Sequence, residues 1–371
     1  MKVCEKSLFV ITVGPVSSFI EGSRKMRDLY AGSFLLSFLT YEVLREIRSN
    51  TFPYKDHLEV IFPGEENNHN SVPNRIVGIT DMDEEGQRKL GTYLEQYFWK
   101  IYKKVCAKIL NLINFKETDK DDVYKAIWNQ LRSMLHVYWT FVPLTNGYSK
   151  DYPLLVSKIN QVKSIRCFTQ LREPAYKKCS LYPQFNVLIK NTSSHNDNQK
   201  SDHSKDENSP MTINLMDLQN ENIFRYAIKE KEQLSAFGFI KRAMAYADIE
   251  DYDRSIKSVA YMLAKHYIGK KCPDSMNDLL PELISLEEKG GIEAIFDLQN
   301  NQQLTTNEYS GENIELAYRL YKQLSENEIK LKYYYAFVKF DGDGFGNLYK
   351  EHADAKIHQE FSHNIIKFSR G

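Results

Sequence analysis

Leu8-Phe9-Val10-Ile11-Thr12-Val13, closed by Gly14-Pro15, is the stretch on which the fold turns. An unbroken apolar and β-branched run of this length reads as a strand buried on both faces, and the Gly-Pro pair ends it. Ser18 and Glu21 form an S-x-x-E capping box, which predicts a helix directly behind the strand. That helix carries Phe19, Ile20, Leu29, Tyr30, Leu36, Leu39, Val43, Leu44 and Ile47 as its apolar positions. A strand running into a helix N-terminus leaves backbone N–H groups where an anion can sit, although a plain βα unit accounts for the same residues. Arg24, Arg27 and Asp28 either face a ligand or pair along a wet helix face, and pairing is the simpler account.

Moving outward, Leu58 to Phe62 reads as a second strand ended by Pro63-Gly64, and Ile76 to Thr80 as a third. Asp81, Asp83, Glu84 and Glu85 then place acids where a helix start favours them, before a helix from about Gln87 past Val105. Trp128, Leu131, Leu135 and Trp139 mark a further helix that runs into the strand His136 to Val142. Strand, helix, strand, strand, helix, strand is the ferredoxin-like order. The expected class is therefore α+β, with a ferredoxin-like domain over 1–150.

From Asp151 the segments become helical, polar and lysine-rich, and 151–328 reads as a helical middle domain. Its expected helices cover Phe237 to Tyr246, Val259 to Tyr267, Ile284 to Leu298 and Ile314 to Leu324. A polar insert at 190–210, with His195 and His203 inside it, has too little apolar content to order itself. The third part, 329–371, opens on Tyr333-Tyr334-Tyr335-Ala336-Phe337-Val338-Lys339-Phe340, expected as another strand buried on both faces.

That run breaks into Asp341-Gly342-Asp343-Gly344-Phe345-Gly346-Asn347. Carboxylates at a strand end suit Mg²⁺, and adjacent glycines let backbone N–H groups approach a phosphate. An EF-hand fails because its fifth position is Phe345 and its twelfth His352; a Rossmann fingerprint fails because the spacing is G-x-G-x-G. Two readings stay open: a palm-type nucleotidyl site using Mg²⁺, and a tight Asp-Gly turn between strand and helix.

The bulk numbers are compatible with either. At 371 residues, and with roughly 150 residues per domain, two or three domains are expected. Hydrophobic content of 42% supports sizeable cores, and Lys+Arg 49 against Asp+Glu 49 removes any global pull toward nucleic acid or anionic lipid. The five cysteines (Cys4, Cys106, Cys167, Cys179, Cys272) form no C-x-x-C pair, which fits a reducing cytoplasm. No apolar run is long enough to span a membrane.

In order along nearly the whole chain, these motifs resemble the large palm-domain subunit of type III CRISPR–Cas RNA-targeting complexes, the III-B branch most closely. The likeness rests on Ile11-Thr12-Val13-Gly14-Pro15-Val16, Phe19-Ile20, Arg24-Lys25 and Arg27-Asp28-Leu29-Tyr30-Ala31-Gly32-Ser33 for the first palm strand and helix. Ile61-Phe62-Pro63, Pro73-Asn74-Arg75, Trp128 with Gln130, and Tyr138-Trp139 match the rest of that palm. Lys178-Cys179-Ser180-Leu181 is similar to the family's cysteine motif, Phe239-Ile240-Lys241-Arg242 and Ser255 to Ala260 to its middle domain. Asp341-Gly342-Asp343-Gly344-Phe345-Gly346 is similar to the opening of the second palm.

The resemblance implies a subunit that works with other type III effector subunits, crRNA and target RNA, with no membrane partner. On target RNA binding it would make a nucleotide second messenger from ATP, either a cyclic oligoadenylate or an AMP–S-adenosylmethionine conjugate. Asp341 and Asp343 would be catalytic and hold Mg²⁺. Gly342, Gly344, Phe345, Gly346 and Asn347 would bind nucleotide, and Gly14, Pro15, Val16, Ser17, Ser18 and Phe19 would bind the second nucleotide. Three departures qualify this. The first strand lies so near Met1 that no HD nuclease domain is expected; Tyr182 stands where a second cysteine belongs, putting a zinc site in doubt; and no Gly-Gly-Asp-Asp hairpin follows the D-G-D strand. The second palm is expected to be incomplete here, with a second polypeptide as a possible source of that hairpin. The rival expectation is a non-catalytic scaffold that docks partners and crRNA.

Overall fold

The computed structural model describes residues 6–64, 72–113, 120–165, 173, 175–190, 212–214, 228, 232–271, 276–306, 308–336 and 345–369. In chain order the elements are β1 (Ser7–Gly14), α1 (Ser17–Glu21), α2 (Met26–Arg48), β2 (Leu58–Phe62), β3 (Arg75–Thr80), α3 (Glu84–Leu110), α4 (Lys120–Met134), β4 (His136–Pro143) and α5 (Tyr148–Ser164). There follow β5 (Ile189–Lys190), β6 (Ile213–Asn214), β7 (Gln233–Leu234), α6 (Ala236–Ala243), α7 (Val259–Lys271), α8 (Met276–Glu288), α9 (Glu293–Gln299), α10 (Gly311–Glu326), α11 (Phe345–Glu351) and α12 (Ala355–Ser369). The class is α+β, as expected.

β1 is central because both of its faces are apolar. The main sheet runs β2-β3-β1-β4, every pairing antiparallel. Phe9, Ile11 and Val13 enter the core formed with α2, α3 and α4, while Leu8 and Val10 enter a second cluster with Tyr152, Leu155 and Ile159 of α5. The period-2 alternation of a strand sorts one run into two cores. Thr12, the next position on the α5 side, is the polar exception, and it is buried.

Four expectations are corrected. The 150/151 boundary falls inside α5, which packs on β4 and β1 and so belongs with the sheet. The helix expected over Ile284 to Leu298 is two helices, because Gly290 adopts φ +71 and a Cβ on Gly291 would lie 2.6 Å from Asn313 Cγ. Tyr333, Tyr334 and Tyr335 form no strand and are 50, 83 and 59% exposed, since no described strand lies beside them to take up their backbone groups. Finally, α12 packs on β2 and α11 on α5, so the described end of the chain covers the first sheet. Residues 191–210 of the polar insert lie outside the described residues, as do 337–344. No described helix is long and apolar enough to cross a membrane.

Candidate functional site

The end of β1 is fastened by Asn74, the residue just before β3. Asn74 Nδ2 donates to the Val13 carbonyl at 2.8 Å, and the Asn74 carbonyl accepts from Val13 N at 3.1 Å and Thr12 Oγ1 at 2.9 Å. The chain then leaves the sheet through a cis Gly14–Pro15 peptide. It opens a cleft of about 600 Å³ lined by Gly14, Pro15, Val16, Ser18, Asn74, Ser133, His136, Tyr138, Lys163 and Gln184, among others. That volume lies within the roughly 300–1,000 Å³ range of small-molecule sites. Lys163, near the end of α5, reaches in and donates to Thr12 Oγ1 at 3.4 Å. Its ammonium is held below the usual lysine range by burial and by the neighbouring Arg75 charge.

The expected turn residues therefore divide. Gly14, Pro15, Val16 and Ser18 line the cleft, while Ser17 is exposed and outside its lining. Phe19 is 1% exposed and packs edge-on to Phe237, so its ring belongs to the core and not to a ligand site. The Ser18/Glu21 capping box does not form. The helix starts two residues earlier, with Val16 at its N-cap and no side-chain cap, and it is only five residues long. So short a helix carries little macrodipole, which removes the helix N-terminus as the reason for an anion here.

α1 stops because its last carbonyls are taken by a lysine from α6. Lys241 Nζ donates to the carbonyls of Phe19 (2.9 Å), Ile20 (3.2 Å) and Gly22 (2.7 Å), to Ser23 Oγ (2.6 Å) and to Tyr182 Oη (2.9 Å). Tyr182 in turn donates to the Phe19 carbonyl at 2.6 Å. A Cβ on Gly22 would sit 2.4 Å from the Tyr182 ring, so only glycine passes at this point. Burial pushes the Lys241 amine down to about 8. The continuous helix expected from Phe19 to Ile47 is thus broken by groups far away in sequence.

The wet-face reading of Arg24, Arg27 and Asp28 is also corrected. Asp28 is fully buried and takes both arms of Arg242, Nε to Oδ1 at 2.7 Å and Nη2 to Oδ2 at 2.8 Å. Arg242 also binds Glu232 at 2.8 and 2.9 Å. Arg27 donates to Glu287 of α8 at 3.0 Å and to the Ile256 carbonyl at 3.0 Å, and Glu287 additionally takes Ser258 N and Oγ. Arg24 reaches the Ser180 carbonyl at 3.4 Å. The first turns of α2 thereby clasp the sheet domain to the helical region.

The other motifs of the chain are structural in the same way. Gln130 is buried with its amide fully used, donating to Glu173 and the Asn186 carbonyl and accepting from Ala236 N. Asp83 caps α3 through Gly86 N at 2.9 Å, and Asp81 pairs with His57, so these acids act as helix-start and loop partners. Cys179 is buried and accepts from Leu181 N at 3.4 Å; Cys167 and Cys272 lie outside the described residues. Among the described residues no group of three or more His, Cys, Asp or Glu could hold a metal. Asp341, Gly342, Asp343 and Gly344 lie outside the described residues, as does the Phe345 side chain. Gly346 and Asn347 are exposed on α11 and are not brought to the Gly14 turn.

Sequence reasoning missed Asn74, His136 and Lys163 as cleft residues. The available signal was Thr12, a hydroxyl inside the apolar run Leu8 to Val13, with a P-N-R triplet opening the strand that pairs with it.

No curated protein matches the chain. Several solved structures match the chain at low identity, two of them from type III-B Cmr-beta. A chain of the cryo-EM structure of type III-B Cmr-beta in its apo state is 14% identical with a TM-score of 0.49, the match covering 89% of this chain and 43% of that one. A chain of type III-B Cmr-beta bound to cognate target RNA is 13% identical with a TM-score of 0.44, covering 86% and 43%. This chain thus spans less than half the length of either. Over residues 8–79, from β1 through the turn, α1, α2 and β2 nearly to the end of β3, it is similar to the N-terminal family of CRISPR-associated protein Cmr2.

Proposed function

We infer that the chain is a Cmr2-like large subunit, or a portion of one, in a type III-B crRNA-guided RNA-targeting complex. The observation that carries this is a coincidence of place. The Cmr2 family likeness covers residues 8–79, the segment that supplies β1, the Gly14–Ser18 turn and Asn74 to the open cleft. In this reading the β2-β3-β1-β4 sheet is a ferredoxin-like palm, and its cleft holds one of two nucleotides. Asp341 and Asp343 would hold Mg²⁺, which polarises phosphate oxygens and stabilises the departing pyrophosphate when bound. The chain's own contribution is positional: Asn74 fixes the strand end, and the turn lines the cleft beside Lys163. Other type III subunits, crRNA and target RNA are its proposed partners, and ATP its proposed substrate. The product is a cyclic oligoadenylate or an AMP–S-adenosylmethionine conjugate.

A scaffold reading is favoured by one observation, the use of Arg27 and Asp28 as interdomain clasps rather than ligand contacts. The reconstituted complex separates the two. Asp341→Asn should abolish Mg²⁺-dependent messenger synthesis from ATP and leave target-RNA binding intact. Unchanged synthesis in that variant removes the metal role, and absence of synthesis in the wild-type complex leaves the scaffold.

A further inference from the structure

Arg75 and Lys163 stand out among the cations of the sheet domain by what surrounds them. In the β1–β3 pairing Arg75 lies directly opposite Thr12, and directly opposed residues of an antiparallel pair project from the same face. Lys163 comes down from α5 onto that face and touches Thr12 Oγ1. Thr12 is therefore flanked by an ammonium and a guanidinium close enough for the Arg75 charge to disfavour protonation of Lys163. Both residues are half-buried. Arg75 has a hydrogen bond with the Tyr152 hydroxyl, which is polar but carries no charge. Among the described residues neither cation has a carboxylate within ion-pair distance.

Holding two like charges together away from bulk water is unfavourable unless an anion joins them. The space for one is present. Lys163 lines the 600 Å³ cleft at the Gly14–Ser18 turn, and Arg75 lines a smaller cavity of about 200 Å³ with Tyr148, Tyr152 and His358; Asn74 borders both. With α1 too short to attract an anion by its dipole, Lys163 is the one lysine or arginine lining the cleft among the described residues, and Arg75 lies beside it across Thr12.

We propose that Arg75 and Lys163 form a phosphate site on the α5 face of the sheet, one that takes the phosphate chain of a nucleoside polyphosphate lying in the adjoining cleft. Guanidinium supplies directional, forked donors and ammonium a mobile point charge, the usual division of labour around phosphate oxygens. The proposal rests on the nucleotide reading for the nucleoside, and on the sheet geometry alone for the anion.

The test is calorimetric titration of the full chain with sodium tripolyphosphate and, separately, ATP, at low salt and again with NaCl raised. The expected result is saturable tripolyphosphate binding that weakens with salt. It should fall at least tenfold in Arg75→Gln and in Lys163→Gln, be partly retained in Arg75→Lys, and be unchanged in Lys89→Gln, an exposed control that pairs with Glu85. Should Arg75→Gln fold poorly, Lys163→Gln decides, because that side chain contributes a single long hydrogen bond to the fold. Absence of tripolyphosphate binding to the wild type, or equal affinity in the Gln variants, overturns the proposal. Tripolyphosphate binding lost in both variants, with ATP bound no more tightly than tripolyphosphate, upholds the anion site and overturns the nucleotide reading.

Discussion

Lys241 and Lys163 are both lysines drawn toward the turn that follows β1, one from each side, and they are in opposite situations. Lys241 is 1% exposed and delivers its protons to three carbonyls and two hydroxyls, with Asp28 nearby as a compensating charge. Lys163 has one hydroxyl at 3.4 Å and a guanidinium for a neighbour. The first ammonium is part of the fold, standing in for the next turn of a helix that stops early. The second is available to something else. A cation's partners, rather than its presence, separate a structural role from a binding one.

The sharpest way to break this comparison is at Arg242, the most heavily engaged cation on the structural side. Replacing it by Ala leaves Asp28 and Glu232 facing each other in the interior without a guanidinium. Removing one partner of a buried ion pair costs about 3–5 kcal/mol, a large share of a domain's stability, so the unfolding free energy from urea titration should fall by that amount. A loss below about 1 kcal/mol, the range of surface pairs, would mean that water reaches the cluster.

Lys241→Met comes next. It keeps the apolar stem and removes the donors, so the three carbonyls at the end of α1 lose their main partner. Leaving buried acceptors unmade costs about 1–3 kcal/mol. Hydrogen exchange should quicken across residues 17–23 while β1 keeps its protection. The substitution should also change the pH profile. With the folded Lys241 near 8 and the unfolded amine near 10.5, the unfolded chain holds more protons between these values, and stability rises with pH through that window. The usable range ends near 9.5. Tyr93 is pushed up to about 12, and Tyr182 is raised further, so ionisation of the unfolded tyrosines reverses the trend above about 10. Lys25, also pushed down to about 8 by burial, adds a rise of the same sign, so Lys241→Met should reduce the slope without abolishing it.

The same contrast explains how much could be read from the chain alone. Strands β1 to β4 were legible because each is a local apolar run with a turn signal, and their order needed only the βαββαβ succession. Helix α3 was legible from its acidic start, although it begins at Glu84, ahead of the expected Gln87, with Asp83 as its cap. The break at Gly22 was not, because it depends on Tyr182 and Lys241, more than a hundred residues away, and capping boxes are judged from neighbours. Arg27 and Asp28 looked like an ordinary helix pair for the same reason. Tyr333 to Tyr335 misled in the other direction: local composition asks for a buried strand, but burial needs adjacent strands, and none lies beside it among the described residues. The Gly14–Phe19 turn was a candidate through the family resemblance, and Gly14, Pro15, Val16 and Ser18 of it line the cleft. Lys163 was not, since in sequence it is one lysine of a polar helix, and only the packing of α5 on the sheet sets it against Thr12.

The smallest expected effect is also the most discriminating. If Arg75 and Lys163 were structural cations of the Lys241 kind, neutralising either would cost stability. If they are held together for an absent anion, neutralising one removes a repulsion, and that relief offsets the weak hydrogen bond each gives up. For Arg75→Gln that bond is the one to the Tyr152 hydroxyl, and for Lys163→Gln the 3.4 Å approach to Thr12 Oγ1. Each should therefore unfold within about 0.5 kcal/mol of the wild type in phosphate-free buffer, the range of substitutions that touch nothing essential. Tripolyphosphate should stabilise the wild type and not the variants, since a ligand that binds only the folded state raises stability by mass action. A loss of about 2 kcal/mol or more in ligand-free buffer for either variant would place these two residues with Lys241, and the cleft would then need another source of positive charge.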